Sequence, residues 1–244
     1  MKKLLSLILC ITALLSYSEV KASHAMGADI TYTCVGPNRF VITVSFYRDC
    51  SGIAAPSTLA LYYQSLSCGT ARVTRTMRRR ACPPAVPPYT ACEVSPLCPA
   101  YASRSCCVSS TAGCLPGVQR YIYDDTITLP SGCTDWKFWI SESARNTSVT
   151  NLVSPGSQNL RVEALVNNVD TNCSNGPRFA TLPVPYICNG LLYNYSHGAI
   201  DADGDSLRFV LVNPLGGTAY AATNINFLSP FTASNPMSVT GPFV

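Results

Sequence analysis

The cysteines constrain this chain more than any other feature of its sequence. There are 13 of them in 244 residues, and ten lie between Cys34 and Cys133. In an exported chain, an even set of cysteines is typical of a disulfide framework. Zinc is the alternative, but no Cys-x-x-Cys pair occurs and only His24 and His197 could assist as ligands. Once Cys10 is removed with a signal, as argued next, we predict twelve oxidised cysteines whose connectivity the spacing does not reveal.

The first residues have the pattern of a secretory signal. Two lysines precede an apolar stretch over residues 4–15, and a small-residue cleavage pattern ends at Ala22. The stretch is shorter than the about 20 residues that a membrane span needs. Cys10 lacks the small residue that precedes a lipid-attachment cysteine. We therefore predict a signal peptide over residues 1–22 and a mature chain that is secreted or held at the cell surface, without a transmembrane segment.

Charged residues are scarce, at 12% of the chain against about 25% in ordinary soluble domains. The formal net charge of +4 falls to about +2 without the signal, which argues neither for nor against nucleic acid. The run "RVTRTMRRR" (72–80) could bind phosphate or an acidic polysaccharide. The alternative interpretation is that the run forms a solvated loop or an edge strand. Because no aromatic platform is interleaved with its arginines, we expect no nucleic-acid partner. The arginines are Arg72, Arg75, Arg78, Arg79 and Arg80.

Alternation of apolar and polar residues predicts strands along most of the chain. In "RFVITVSFY" (39–47), every second residue from Phe40 is apolar, the period of a half-buried strand. No stretch after residue 15 has a helical period of useful length. Short strands broken by Gly, Pro and Asn are typical of sandwiches, so we predict an all-β fold of immunoglobulin-like β-sandwich domains. Further predicted strands are "DITYTC" (29–34), "QRYIYDDTITL" (119–129), "DWKFWIS" (135–141), "NLRVEALV" (159–166) and "SLRFVLV" (206–212).

Composition divides the chain into two predicted domains. Residues 23–174 hold eleven of the mature cysteines and are predicted to form a Cys-rich β-sandwich domain. Its segment 81–117 is too rich in proline to pair as a central strand and is expected to be a disulfide-stapled loop. Residues 175–244 contain only Cys188 and are predicted to form a second immunoglobulin- or cadherin-like β domain. Since this part is short of the ~100 residues of such a domain, we expect it to be incomplete and the chain to be a front end or a truncated copy.

An acidic stretch, "GAIDADGDSLRF" (198–209), is the main candidate site. Asp201, Asp203 and Asp205 alternate around Gly204, and calcium takes six to eight oxygens of this kind. An EF-hand would place an acidic residue at the twelfth loop position, where this chain has Val212. We predict a structural calcium site at the three aspartates, with a bare polar turn as the alternative.

The sequence contains few signals for catalysis. There is no Gly-x-Ser-x-Gly, His-Glu-x-x-His or phosphate-cradling glycine loop. Two histidines leave few ways to assemble a triad, although His197 near Asp201 could form a pair. Three tyrosines could line a carbohydrate surface, but alternation more simply makes them strand residues; they are Tyr186, Tyr193 and Tyr195. We expect no enzymatic activity.

Several motifs, in order along the chain, carry a resemblance to a known family. They are "SHAMGADITYTC", "FYRDCSG", "EVSPLCP", "LPGVQRYIYDDTITLP", "ISESARN", "LPVPYICNG" and "GAIDADGDSL". Together they resemble the amino-terminal region of large secreted surface proteins of gliding bacteria. Members of that family often carry PKD-, Ig- or cadherin-like repeats and a carboxy-terminal sorting domain for type IX secretion; we expect this chain to depart from the family by lacking the sorting domain. The resemblance implies a role in adhesion or surface-associated movement.

The sequence therefore predicts a secreted cell-surface protein with a non-catalytic adhesive or structural role, linked through the resemblance to gliding motility. Its partner would be a cell-surface glycan or protein. Two alternatives stay open: an accessory carbohydrate-binding module of a secreted enzyme, and a purely structural spacer of a surface filament.

Overall fold

The computed structural model describes residues 25–87, 90–170, 173–182, 196 and 198–238. The predicted signal peptide lies outside these residues, as do Cys188 and both histidines. The three tyrosines considered for a carbohydrate surface, Tyr186, Tyr193 and Tyr195, also lie outside them.

Eleven strands are found in the described part of the chain. Nine of them form one sheet in the order β1-β2-β5-β4-β3-β6-β7-β10-β11, and β8 pairs with β9 separately. Every pairing between these strands is antiparallel. The strands are β1 (Ala25–Gly36), β2 (Arg39–Asp49), β3 (Thr58–Gln64), β4 (Val73–Arg79), β5 (Val118–Thr128), β6 (Trp136–Glu142), β7 (Leu160–Val166), β8 (Arg178–Phe179), β9 (Ala199–Ile200), β10 (Leu215–Gly217) and β11 (Ala222–Asn224).

The sheet curls around a single core. The backbone N–H of Ala25, at the start of β1, donates to the carbonyl of Ala144, just after β6, at 3.2 Å. Alternate residues of each strand point to the same side of the sheet. The side chains on the inner side of the curled sheet are therefore closed off from solvent. The buried side chains on this face include Phe40, Ile42, Val44, Phe46, Leu59, Leu61, Met77, Tyr123, Ile127, Trp136, Phe138, Ile140, Leu160 and Val166.

The all-β fold predicted from the sequence is confirmed in its coarse form. Five of the six strand patterns coincide with β1, β2, β5, β6 and β7. The immunoglobulin-like sandwich is not confirmed, since these strands belong to one curled sheet. The described residues also include two short 3₁₀ helices, Pro99–Arg104 and Pro155–Ser157. Neither is long and apolar enough to cross a membrane.

The predicted strand "SLRFVLV" (206–212) is wrong. These residues form no regular strand, and Val210 and Val212 are 61% and 70% exposed. A strand needs a neighbour that accepts and donates its backbone hydrogen bonds, and no described strand pairs with this segment. An alternating pattern therefore proved insufficient here.

Part of the chain beyond residue 175 joins the same sheet. Strand β10 pairs with β7 through Leu215 and Arg161, and β11 pairs with β10. Arg161 also donates from Nη1 to the carbonyl of Thr218 at 2.7 Å. Residues 215–224 thus extend the sheet of the first predicted domain, while the division at residue 175 stays a prediction.

Five disulfides cross-link the described residues. Cys82–Cys92 and Cys106–Cys114 close loops inside the segment 81–117, and Cys50–Cys107 ties that segment to the end of β2. The remaining two are Cys68–Cys133 and Cys34–Cys173. Among the described cysteines, Cys98 is exposed and unpaired. The predicted oxidation of every mature cysteine is therefore not found at Cys98.

Candidate functional site

The structure brings the three aspartates of the acidic stretch together. Asp201 follows β9 directly, and one carboxylate oxygen from each of Asp201, Asp203 and Asp205 lies within 4.8 Å of the others. Gly204 has a φ of +82°, a conformation that side chains with a Cβ rarely adopt. Glycine at this position therefore lets the chain turn sharply enough for the flanking carboxylates to converge.

Hydrogen bonds within the loop fix its shape. Asp201 Oδ1 accepts from the backbone N–H of Asp203 at 2.8 Å and from that of Asp205 at 3.2 Å. Such side-chain-to-backbone bonds are the usual way in which aspartate organises a turn. Asp205 follows this turn and is exposed.

A second segment of the chain anchors the loop from outside. Asp203 Oδ2 accepts from the backbone N–H of Asn175 at 2.6 Å, and its Oδ1 accepts from Asn175 Nδ2 at 2.8 Å. Asn175 Oδ1 in turn accepts from the backbone N–H of Cys34 on β1 at 3.0 Å. The Cys34–Cys173 disulfide joins the same two segments. The acidic loop is therefore fastened to an edge strand of the main sheet.

The electrostatics of the loop follow from these contacts. The hydrogen bonds that Asn175 donates hold the pKa of Asp203 below its usual value. On the adjacent strand, burial raises the pKa of Tyr32, and the negative charges of the three aspartates raise it further. The loop therefore carries concentrated negative charge at neutral pH.

The donor set suits a hard divalent cation in part. Calcium takes six to eight oxygen ligands at 2.3–2.6 Å. The three carboxylates offer hard oxygens from one short loop, so the remaining ligands would come from backbone carbonyls and water. The twelfth position of an EF-hand is occupied by Val212, which is 70% exposed. The geometry is compatible with a calcium loop of another kind.

Asn175 and Cys173 are the residues that sequence reasoning missed at this site. They lie about 30 residues before the aspartates, and Cys173 was assigned only to an unspecified disulfide. The Asn175-Gly176 pair, two residues after Cys173, was the one available signal, since it predicts a turn at a fixed point of the chain.

The arginine run is not a free basic patch. Arg75 pairs with Asp125 at 3.0 Å and Arg80 pairs with Asp124. Arg79 lies over the ring of Tyr121, 4.9 Å from its centroid. The alternative of a solvated loop or an edge strand holds in part: β4 lies between β5 and β3, but β5 pairs only with Arg78 and Arg79, and six of the seven residues of β4 are exposed.

The chain was compared with family models, curated proteins and solved structures, and none of the three comparisons gives a match.

Proposed function

We propose that this chain is a secreted cell-surface protein that serves in adhesion without catalysis, and that its acidic loop binds calcium as a structural ion. The observation that carries the proposal is the convergence of three carboxylates within 4.8 Å on a loop fastened to β1. A divalent cation relieves the repulsion between these carboxylates and fixes the turn that holds them.

The disulfide framework supports placement outside the cell. Five disulfides in one chain are typical of secreted proteins and rare in reducing compartments. They would also stabilise the folded protein outside the cell, because cross-links lower the entropy of the unfolded chain.

The proposed function also includes membership of the family that the sequence resembles. We place the chain among surface proteins of the gliding-bacteria type, with an immunoglobulin- or cadherin-like arrangement of β domains. In that setting, calcium at Asp201, Asp203 and Asp205 would stiffen the point where the acidic loop meets the sheet.

A cell-binding assay tests this function. The purified mature chain, fluorescently labelled, is added to bacterial cells and to a glycan array in about 2 mM calcium, a concentration suited to extracellular sites, and again after chelation. We expect saturable binding that chelation and Asp205→Asn both weaken. Asp170→Asn is the matched control, because Asp170 is an exposed aspartate outside the cluster. Absence of binding to every surface would favour the structural spacer and contradict the proposal.

A further inference from the structure

A cavity of about 290 Å³ lies on the outer face of the sheet, apart from the acidic loop. Its lining includes two arginines, a carboxyl group, two hydroxyl groups and an aromatic ring: Arg120, Arg178, Asp29, Ser45, Tyr47 and Phe179. This volume is at the small end of the range of ligand sites, and it suits one sugar unit of a longer chain.

The register of three strands creates one wall of this cavity. Asp29 on β1 lies opposite Ser45 on β2, and Tyr47 on β2 lies opposite Arg120 on β5. Phe46, next to Tyr47, is in the buried core, so these four residues alternate onto the outward face. The polar side chains therefore converge because of strand pairing, without any loop to position them.

The segment that contains β8 supplies the opposite wall. Arg178 and Phe179 form β8, pair with β9 and are exposed. Ala180 continues the wall and donates its N–H to the carbonyl of Gly198 at 2.9 Å. Because Asn175 fastens the start of this segment to β1 and to Asp203, the wall is held at a defined distance from the sheet.

The charges of the cavity favour an anion. Among the described residues, neither Arg120 nor Arg178 forms an ion pair within 4.0 Å, but Arg120 hydrogen-bonds with Tyr47 and its charge acts on Asp29. The one acidic group, Asp29, is near Tyr47, whose hydroxyl donates to Asp29 Oδ2 at 3.4 Å. Burial raises the pKa of Asp29, and the charge of Arg120 and hydrogen bonds from Ser45 and Tyr47 oppose that rise. Two guanidinium groups thus outweigh a single carboxyl group.

We propose that this cavity binds an acidic saccharide, with the anionic group of the sugar held by Arg120 and Arg178. Guanidinium groups pair with carboxylate or sulfate through two parallel hydrogen bonds. Asp29 and Ser45 then accept hydrogen bonds from, or donate them to, the sugar hydroxyls. The ring of Phe179, which is 51% exposed, packs against the apolar face of the sugar.

This inference rests on the proposed adhesive function and deepens it by naming the class of ligand. It does not depend on the calcium site. Arg178 pairs with Ile200, the residue before Asp201, so the cavity and the acidic loop both adjoin the β8–β9 pair while using different side chains.

Titration calorimetry with the mature protein tests the proposal. The probes are trigalacturonate, a sulfated trisaccharide and neutral maltotriose, all in the same buffer with calcium. We expect binding of an acidic probe, with the tighter of the two identifying the anionic group, and no binding of maltotriose. Arg178→Gln should weaken binding by about tenfold or more, the effect of losing a charge-assisted hydrogen bond. Arg208→Gln, which removes an exposed arginine outside the cavity, should leave affinity unchanged.

Three results would overturn the proposal: no binding of either acidic probe, equal binding of maltotriose, or an equal loss in Arg208→Gln. We choose Arg178→Gln and not a change at Arg120. Arg178 is an exposed residue of a short strand, and substitutions at such positions change the stability of the fold little. The cell-binding assay separates this inference from the proposed function. If Arg178→Gln binds cells as tightly as the parent protein and in a calcium-dependent manner, adhesion stands and the saccharide site is wrong.

Discussion

Two glutamates on adjacent strands have opposite environments. Burial raises the pKa of Glu142, on β6, to about 6. Burial would also raise the pKa of Glu163, on β7, but hydrogen bonds from Arg161 and Lys137 lower it below its usual value. The ion pair between Arg161 and Glu163 spans 2.7 Å, and that between Lys137 and Glu163 spans 3.1 Å. The two carboxyl groups therefore affect stability with opposite signs.

Glu142→Gln is expected to stabilise the protein at neutral pH. The folded-state pKa of about 6 exceeds the usual value of 4.5, so the folded chain holds this proton more tightly and loses stability as pH rises from 4.5 to 6. The glutamine variant should be more stable at pH 7.5 by up to about 2 kcal/mol, at 1.4 kcal/mol per pKa unit. The difference should vanish near pH 4. Urea unfolding at both pH values measures it.

Glu163→Gln is the matched control for that substitution. Because its pKa is depressed, the carboxylate of Glu163 stabilises the fold above its usual pKa, and the variant should be less stable than the parent at pH 7.5. Stabilisation by both substitutions would show that a general reduction of negative charge, and not burial of Glu142, is responsible.

The acidic loop shows how far residue patterns reach. Asp201, Asp203 and Asp205 were identified from spacing alone, and Gly204 from its place in a turn, because both signals are local. Asn175 was not identified, since its bonds to Asp203 and Cys34 join segments far apart in sequence. Local chemistry is readable from the sequence, whereas partners brought together by topology are not.

At the scale of elements, a stack of rings and guanidinium groups holds the β10–β11 hairpin to the sheet. The guanidinium carbon of Arg72 lies 3.8 Å from the ring centroid of Tyr220 and 5.7 Å from that of Tyr62. Arg72 Nη1 and Trp139 Nε1 both donate to the carbonyl of Ala219, at 3.3 and 3.1 Å. A short hairpin with few apolar contacts depends on such interactions.

Arg72→Ala should therefore loosen this hairpin without unfolding the sheet. Loss of the cation–π and hydrogen-bond contacts should lower its local opening free energy by about 1–2 kcal/mol. Hydrogen exchange of backbone amides in residues 215–224 measures that opening. Arg78→Ala, in the same run, is the control. Equal acceleration in both variants, or none in Arg72→Ala, would contradict the role given to Arg72.

The elements differ in how well the sequence predicted them. Strand β2 was predicted because alternate residues from Phe40 to Phe46 are apolar and buried. Strand β4 appeared only within the alternative for the arginine run, since only Met77 of its seven residues is buried, and its arginines obscured the alternation. Segment 206–212 had the pattern but no neighbouring strand. Periodicity reports whether a segment has two different faces, and pairing depends on what the fold places beside it.

At the scale of the whole molecule, the disulfides dominate stability. Native disulfides in small secreted domains contribute about 2–5 kcal/mol each, against a total of about 5–15 kcal/mol. The Cys34–Cys173 link, with a sequence separation of 139 residues, should contribute more than Cys106–Cys114, with a separation of 8, because closing a longer loop costs more entropy.

Replacing both cysteines of a pair by alanine tests this order. Removal of Cys34–Cys173 should lower the free energy of unfolding by about 2 kcal/mol more than removal of Cys106–Cys114. Guanidinium unfolding measures both variants. Alkylation of the native parent protein should label Cys98, which is exposed and, among the described cysteines, unpaired. Equal losses for the two pairs, or a Cys98 that resists alkylation, would contradict this arrangement.

Thermal unfolding in the presence of calcium tests the central claim most directly. At about 10 mM calcium, roughly 100-fold above a Kd near 10⁻⁴ M, binding to the folded state contributes ~2.7 kcal/mol. The unfolding midpoint of the mature protein should then rise by about 5–10 °C over a sodium chloride control of equal ionic strength. Asp205→Asn should lose most of this rise, and Asp170→Asn should keep it. A parent midpoint that calcium leaves unchanged, or an equal rise in Asp205→Asn, would contradict a calcium site at Asp201, Asp203 and Asp205.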